Sequence, residues 1–156
     1  MFRAAFLSAS LLMLGACDPA RVYETNRNFD DAVWRAADTS VFEFSIDDTV
    51  ATYNVILNVR NTIDFETVRL FLNYSLTDTA SVPMRKRLIE QNLFDRKSFA
   101  PFGESGLGDI YEHHILLEPN ISFPYKGKYV VKLNHQMRTD TLQEILSVGV
   151  RVEIAK

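Results

Sequence analysis

Cysteine is nearly absent from this sequence, which has one, Cys17, among 156 residues. A single thiol cannot form a disulfide within the chain, so the fold has to be stabilised by burial alone. Positive charge is also scarce, since 17 lysines and arginines face 20 aspartates and glutamates. The longest basic run, Arg85-Lys86-Arg87, has three residues. This balance argues against binding to a nucleic-acid backbone, which requires clustered positive charge.

The longest apolar run lies at the start of the chain. Arg3 provides a positive start, residues 4–14 are apolar apart from two serines, and small residues precede Cys17. This pattern predicts a secretory signal over residues 1–16, because a membrane-spanning helix needs about 20 apolar residues. Leu14-Gly15-Ala16-Cys17 resembles the lipobox of bacterial lipoproteins, in which the cysteine receives a diacylglyceryl group and the chain is cut before it. An ordinary cleavable signal with an incidental cysteine is the alternative.

The remaining 140 residues are enough for one domain. Loss of residues 1–16 removes one arginine and leaves a net charge of −4. Residues 17–38 are mainly polar and predict a lipidated N terminus followed by a tether. The only tryptophan, Trp34, is predicted to pack against the domain edge, with ligand stacking as the alternative. The domain itself is predicted over residues 39–156.

Alternation of apolar and polar residues dominates the chain from Val41 onward and predicts strands with one buried face. Two such runs, VFEFSI and YNVILNV, flank the polar turn Asp47-Asp48-Thr49 and predict an antiparallel pair. Seven or eight short strands, with almost no helical pattern, predict an all-β fold of two packed antiparallel sheets. We expect a jelly-roll-like sandwich, with immunoglobulin-like wiring as the alternative.

Three segments depart from simple alternation. Residues 84–94 predict an edge strand, although a short helix after Pro83 would also fit their apolar positions. Residues 135–145 predict one or two helical turns, because their apolar residues fall near a common side. Residues 99–109 contain three glycines and one proline and predict a loop.

The sequence shows no pattern that indicates a catalytic centre. His113-His114 would point to opposite faces of a strand and could not chelate one ion. Ser105 lacks the glycine spacing of a nucleophile elbow, and the nearby GLGD lacks the lysine of a phosphate loop. Turn solvation explains Asp30-Asp31 and Asp47-Asp48, with calcium binding or glycoside hydrolysis as alternatives. We expect no metal and no cofactor other than a covalent lipid on Cys17.

A series of motifs runs from Cys17 to the last predicted strand. In chain order they are CDP, RVYE, YNVILNVRNT, GLGDIY, FPYKGKYVVKL and MRTDTLQEILSVGVRVE. This series resembles the gliding-motility lipoprotein family GldH. The resemblance implies a cell-envelope lipoprotein required by the surface-gliding apparatus of certain Gram-negative bacteria, which is linked to the type IX secretion system. It implies no enzyme activity.

Five polar residues match the family at these motifs and are the candidate binding residues. The resemblance leaves two roles open for them. They satisfy backbone groups or one another within the fold, or they contact a partner. These residues are Arg60, Asn61, Asp109, Arg138 and Asp140.

Two functional hypotheses follow. The first is a non-catalytic, periplasm-facing component of the gliding apparatus, attached to a membrane by its lipid, with other motility or secretion proteins as partners. The second is a carbohydrate-binding module of the cell envelope, because jelly rolls often present aromatic side chains to sugars. Trp34, Tyr111 and Tyr125 are the available rings. We expect no enzyme activity, and neither nucleic acid nor a small-molecule substrate as a partner.

Overall fold

The computed structural model describes residues 18–156, so the predicted signal over residues 1–16 and Cys17 lie outside the described part. The described chain is all-β, as predicted, apart from one 3-10 turn at Asp30–Ala32. The strands, in chain order, are β1 (Arg21–Asn28), β2 (Trp34–Arg35), β3 (Ser40–Ile46), β4 (Tyr53–Thr62), β5 (Arg69–Asp78), β6 (Pro83–Asn92), β7 (Glu104–Ser105), β8 (Ile110–Ile121), β9 (Gly127–His135), β10 (Thr141–Leu142) and β11 (Ile145–Ile154).

Eight of these strands are long, and they form two antiparallel sheets. One sheet has the order β1-β11-β4-β8-β7 and the other has the order β3-β9-β5-β6. Among the long strands, the first pairs with the last, the second with the seventh, the third with the sixth and the fourth with the fifth. This nested pairing is the wiring of an eight-stranded jelly roll. It confirms the expected sandwich and distinguishes it from the immunoglobulin-like alternative.

The sandwich core is formed mainly by one face of β3, β4, β5, β8, β9 and β11, whereas β1 and β6 contribute only partly buried side chains. In β5 the buried residues alternate strictly, from Leu70 through Leu72 and Tyr74 to Leu76, as the period-two pattern predicts. Each fully buried leucine contributes roughly 2 kcal/mol of transfer free energy. Aromatic rings fill the middle, where Phe123 and Tyr129 lie 4.5 Å apart between centroids. The core therefore forms without a disulfide.

The predicted antiparallel pair around Asp47-Asp48-Thr49 is wrong. β3 pairs with β9 in the four-stranded sheet, whereas β4 lies between β11 and β8 in the five-stranded sheet. The polar turn reverses the chain as expected, but it carries the chain from one sheet to the other. Both runs bury one face, and a partner sheet satisfies that requirement as well as a hairpin does.

The predicted tether over residues 17–38 also needs correction. Residues Arg21–Asn28 form β1, which pairs with β11 over its whole length. The strand was missed because it lies at the sheet edge and its exposed residues outnumber its partly buried ones. Trp34 is fully buried and donates its indole N–H to the carbonyl of Asp38 at 3.0 Å. Its predicted role as a packed aromatic is confirmed, and ligand stacking is excluded for a ring with no exposed surface.

The remaining local predictions have mixed outcomes. Residues 83–92 form the predicted edge strand, β6, at the outside of the four-stranded sheet. Residues 99–109 form a loop that contains only the two-residue strand β7. The helical turns predicted over residues 135–145 are wrong, because β10 forms there and pairs with β2. That pairing buries Leu142 next to Trp34, and a local helix would prevent it.

Candidate functional site

The nested wiring places the connections between long strands at two opposite ends of the sandwich. Residues 29–39, 63–68, 93–109 and 136–144 lie together at one end, which we call the groove end. Backbone hydrogen bonds join them, from Ala36 N–H to Asp140 O at 2.8 Å and from Ile63 N–H to Asp109 O at 2.8 Å. The other end, called here the terminal end, holds both termini of the described chain, since Ile154 N–H donates to Ala20 O at 2.7 Å.

A groove of about 600 Å³ opens at the groove end, between the β4–β5 connection and the β9–β11 connection. Its apolar lining comes from Phe65 and Leu142, which are buried, and from Phe71 and Met137, which are partly exposed. The Phe71 N–H faces the Met137 sulfur at 3.4 Å, which joins β5 to the β9–β11 connection. Volumes of this order are typical of pockets that bind small molecules or peptide side chains. The polar lining consists of Glu66, Thr67, Gln136, Arg138, Thr139, Thr141 and Gln143.

The groove continues towards a neighbouring apolar rim. A second cavity of about 160 Å³ shares Phe65, Glu66 and Thr67 with the groove and extends to Phe99. Phe99 is 65% exposed, and two further apolar side chains of the same loop, Phe102 and Leu107, are 60% and 92% exposed. Phe99 lines this second cavity, and exposed apolar side chains next to a groove are typical of interaction sites. Phe102 lines a separate cavity of about 220 Å³ beside β8.

The loop segment that presents Phe99 is internally hydrogen-bonded. The Asp95 carboxylate accepts hydrogen bonds from Lys97 N–H, Ser98 N–H and the Ser98 hydroxyl, at 2.8 to 3.0 Å. These bonds lower the pKa of Asp95 below its ordinary value, and the bond from Ser98 N–H has the largest effect. Phe99 adopts a left-handed backbone with φ of 56°. An aromatic residue rarely adopts this conformation, so the segment is held in one shape by its hydrogen bonds.

The five predicted binding residues all lie at the groove end, but they do not form one cluster. Arg138 lines the groove, and Asp140 lies two residues further on the same connection. Arg60 and Asn61 are in β4, and Asp109 immediately precedes β8. Arg60 and Asn61 therefore belong to the five-stranded sheet, and Asp109 lies in the loop before one of its strands. A partner-binding role for the five stays a prediction.

The structure gives some of these residues a contact within the fold. Asn61 is fully buried and donates its side-chain N–H to Thr62 O at 2.8 Å. Asp109 and Asp140 each provide a backbone carbonyl to a neighbouring connection, as described above. Sequence reasoning missed the apolar lining, because Phe65 and Met137 are 72 positions apart and only the wiring brings them together.

The histidines are placed as strand alternation predicts. His113 is buried and faces the core, whereas His114 is exposed and its Nδ1 lies 2.8 Å from Asn58 Oδ1. Burial lowers the pKa of His113 to about 4, and the neighbouring His114 adds to this effect. His135 is also buried, with its ring edge-on to Trp34. Within residues 18–156, the structure shows no group of three His, Cys, Asp or Glu residues that could hold a metal ion.

The aromatic residues named for a carbohydrate site do not share a surface. Trp34 is buried at the groove end. Tyr125 lies in the β8–β9 connection at the terminal end, and its hydroxyl donates to the carboxylate of Asp78, which raises the pKa of Tyr125 to about 12. A sugar platform requires adjacent exposed rings, so this arrangement does not support the carbohydrate-binding alternative.

The described residues contain no helix long and apolar enough to cross a membrane.

The chain is similar to a known family over most of its length. The model of the family described as GldH lipoprotein matches residues 21–152, which include every strand from β1 to most of β11. A protein of Christiangramia forsetii named gliding motility lipoprotein GldH homolog is 29% identical, over 92% of this chain and 90% of that protein. The gliding motility lipoprotein GldH of Flavobacterium johnsoniae is 25% identical, over 94% of this chain and 93% of that protein.

Solved structures show a weaker similarity. The subviral particle of infectious bursal disease virus VP2 is 14% identical, with a TM-score of 0.44, and the match covers 97% of this chain. The structure of the Gx strain of the same virus is 17% identical, with a TM-score of 0.40. The chain spans about 37% of the first of these viral chains and 36% of the second.

Proposed function

The chain belongs to the GldH lipoprotein family, and we propose that it is a lipid-anchored component of the gliding machinery that acts by binding other proteins. Membership of a lipoprotein family implies a place in the cell envelope, attached to a membrane. The proposal adds that attachment is through Cys17, that the domain faces the periplasm, that it is not an enzyme, and that its work is linked to type IX secretion. The family match over residues 21–152 is the observation that carries it.

The anchor follows from the sequence around the only cysteine. Leu14-Gly15-Ala16-Cys17 has the pattern of a lipobox, and the three residues Asp18 to Ala20 separate the cysteine from β1. Each buried methylene of an acyl chain contributes about 0.8 kcal/mol, and two or more chains are needed for stable attachment. A lipid on Cys17 would therefore hold the terminal end of the sandwich at the membrane surface.

A binding role is supported by what the groove end offers. It combines an apolar groove with exposed aromatic side chains. The candidate polar residues near it are spread over separate strands and connections. Confinement to a membrane plane raises the effective concentration of a protein near others in the same membrane. A weak interaction is then sufficient to hold a complex together.

The test is to replace Cys17→Ser in the cell and to measure membrane attachment and colony spreading. Cys17→Ser should move the protein to the soluble fraction and reduce spreading to the level of a deletion strain, while export of unrelated periplasmic proteins continues. Ser122→Ala, an exposed change at the terminal end, is the matched control and should alter neither result. Normal spreading by cells whose protein is fully released from membranes would refute the proposal.

A further inference from the structure

We propose that the groove end is the docking surface for a protein partner that inserts apolar side chains into the groove and surrounds them with lysines and arginines. This inference rests on the proposed function, because it assumes that the chain works by binding other proteins. It adds the place of binding, the chemistry of the partner and the orientation of the complex relative to the membrane.

The groove lies at the end of the sandwich opposite residue 18. β1 begins at Arg21 at the terminal end and reaches the groove end at Asn28. A strand of this length spans roughly 27 Å at the rise of about 3.4 Å per residue. The groove therefore opens on the side away from residue 18, and a membrane at the terminal end does not cover it. A partner in the periplasm reaches the groove without moving the domain.

The groove end also has the shape of a docking surface. The groove and its neighbouring cavity form a continuous apolar depression, from Met137 through Phe65 to Phe99. Phe102 and Leu107 are further exposed apolar side chains of the loop that carries Phe99. Both exposed phenylalanines of the described chain belong to this loop. Such a surface suits a partner whose apolar side chains fill the groove while its backbone crosses the rim, as buried anchors do in protein interfaces.

The groove end is acidic. The four connections of the groove end carry ten acidic and four basic residues, whereas the rest of residues 18–156 carries ten acidic and twelve basic residues. The acidic excess therefore lies at the groove end. Asp64, Glu66 and Asp140 stand exposed on the connections that form the groove, with Arg138 as the one cation among these connections. A complementary partner carries lysines and arginines around its apolar side chains.

The acidic charge of the groove end disfavours two other occupants of the groove, a membrane surface and a second copy of the chain. An anionic membrane surface is repelled by an acidic end and lies at the opposite end of the sandwich. A second copy of the chain would bring two acidic ends together, which like-charge repulsion opposes.

The shape of the rim is also fixed in advance by the hydrogen bonds around Asp95, so that little ordering is needed on binding.

The test is photocrosslinking in intact cells that produce the full chain. A benzoylphenylalanine replaces Phe99, Phe102 or, as a control, Val50, which is 92% exposed in the β3–β4 connection at the terminal end. Both groove-end positions should yield the same crosslinked protein, and Val50 should not. Mass spectrometry of the joined peptide should show an apolar residue flanked by at least two lysines or arginines.

Charge reversal makes the test specific. Glu66→Lys combined with Asp64→Lys should lower the yield of that product by about tenfold or more, because both changes repel a basic partner. Asp47→Lys, an exposed change at the terminal end, should leave the yield unchanged. Equal amounts of the protein in all three strains, with equal resistance to added protease, show that the variants fold. Reversal of the partner's basic residues should restore the product.

Several results would overturn the inference. They are a product of twice the chain's mass, a crosslink to lipid, an acidic joined peptide, no product at either groove-end position, or a yield that Glu66→Lys with Asp64→Lys does not change. Cys17→Ser separates this inference from the proposed function. If Cys17→Ser stops spreading and the groove-end variants spread normally with unchanged products, the docking surface is wrong and the lipid-anchored role stands. If Cys17→Ser does not affect spreading, the proposed function itself fails.

Discussion

The guanidinium of Arg151 lies 2.7 Å from the carboxylate of Asp18, the residue that follows Cys17 in the sequence. Arg151 belongs to β11, so this pair places the beginning of the described chain beside the last strand. An exposed ion pair contributes at most about 1 kcal/mol. The position of the chain start relative to the sandwich therefore depends mainly on the backbone hydrogen bonds between β1 and β11. These bonds run from Arg21 to Asn28 of β1. A pulling force between a lipid on Cys17 and a partner at the groove end would be transmitted through the hydrogen bonds between β1 and β11.

The first prediction concerns the contact between β1 and β11 at Gly149. A Cβ on Gly149 would lie 1.7 Å from Asn26 Oδ1 and 2.7 Å from the backbone oxygen of Thr25. The amide of Asn26 can rotate away, but the backbone of β1 cannot without loss of ladder bonds. Gly149→Ala should lower the free energy of unfolding by about 1–3 kcal/mol. It should also speed hydrogen exchange at the amides of β1.

Gly106→Ala is the matched control for this substitution. The nearest atom to a Cβ on Gly106 is Ile110 O at 3.4 Å, which is an ordinary contact. The control should change the free energy of unfolding by less than about 0.5 kcal/mol. Equal stability of the two variants in urea unfolding would show that β1 is not held closely against β11.

The second prediction concerns pH. Because the pKa of His113 falls to about 4 in the folded protein, from an ordinary value of 6.5, the unfolded chain binds more protons between these values. Stability is therefore fully present above pH 6.5 and decreases as the pH falls to about 4, by about 3 kcal/mol from His113. Burial lowers the pKa of His135 as well, which adds in the same direction.

His113→Leu removes this titrating group and should flatten the acid limb of stability against pH. Chemical unfolding at several pH values between 4 and 7 measures the slope. His114→Gln, at the exposed neighbour, should reduce the slope only slightly, because burial is the larger cause of the lowered His113 pKa. A slope that His113→Leu leaves unchanged would contradict the placement of a neutral, buried imidazole at this position.

The third prediction concerns the open side of the sandwich between β6 and β8. Glu118 has a buried carboxylate that faces Arg85 at 3.4 Å and Arg87 at 3.2 Å. Removal of both cations by Arg85→Ala and Arg87→Ala leaves this carboxylate uncompensated. The double variant should lose about 2 kcal/mol, less than for a fully buried pair, because the arginines are half exposed.

A third substitution tests whether the buried charge of Glu118 causes the loss of stability. Glu118→Gln added to the double arginine variant should recover at least half of the lost stability, because the buried charge is then gone. Lys86→Ala, between the two arginines in β6, should have little effect since Lys86 is exposed. A triple variant that is no more stable than the double variant would show that packing by the arginine stems, and not charge, is responsible.

The fourth prediction tests whether residues 21–39 belong to the domain. Trp34 is stacked on Phe29 with centroids 5.3 Å apart and is buried completely. Trp34→Ala should cost about 3–5 kcal/mol, in the range of buried aromatic truncations. Trp34→Phe should cost less, mainly the hydrogen bond to Asp38 O. Arg35→Ala, at an exposed neighbour, is the control, and a cost for Trp34→Ala below about 1 kcal/mol would return this segment to a tether.

Much of the fold could be predicted from period-two alternation. Phe42, Phe44 and Ile46 share a buried face, as do Tyr53, Val55 and Leu57, and these runs predict strands without further information. Alternation shows that a face is buried, but not against which sheet. The β3–β4 pair was therefore mispredicted, because its polar turn is compatible with a hairpin and with a crossing between sheets.

Other parts of the fold leave no such pattern. β1 pairs on one edge only, and few of its side chains enter the core, so its sequence looks like a polar tether. β8 contains an irregularity opposite Val55 and Ile56, after which Leu117 and Glu118 are both buried. Two consecutive buried residues break the alternation, and nothing local in the sequence marks where the break falls.

The candidate site was predictable only in part. The candidate polar residues were found from the family motifs, and the structure places all five at one end of the sandwich. The groove itself depends on Phe65 and Phe71 meeting Met137 and Leu142, which come from connections far apart in the sequence. The sequence alone does not mark this surface, because the exposure of Phe99 and Phe102 is seen only in the structure.

The most direct test of the central claim is the intact mass of the protein purified from the membranes of cells that produce it. The account predicts a chain that begins at Cys17, with a diacylglyceryl group on the sulfur and a further acyl chain on the new amino terminus. An unmodified Cys17, on a mature chain that stays in the soluble fraction, would contradict it.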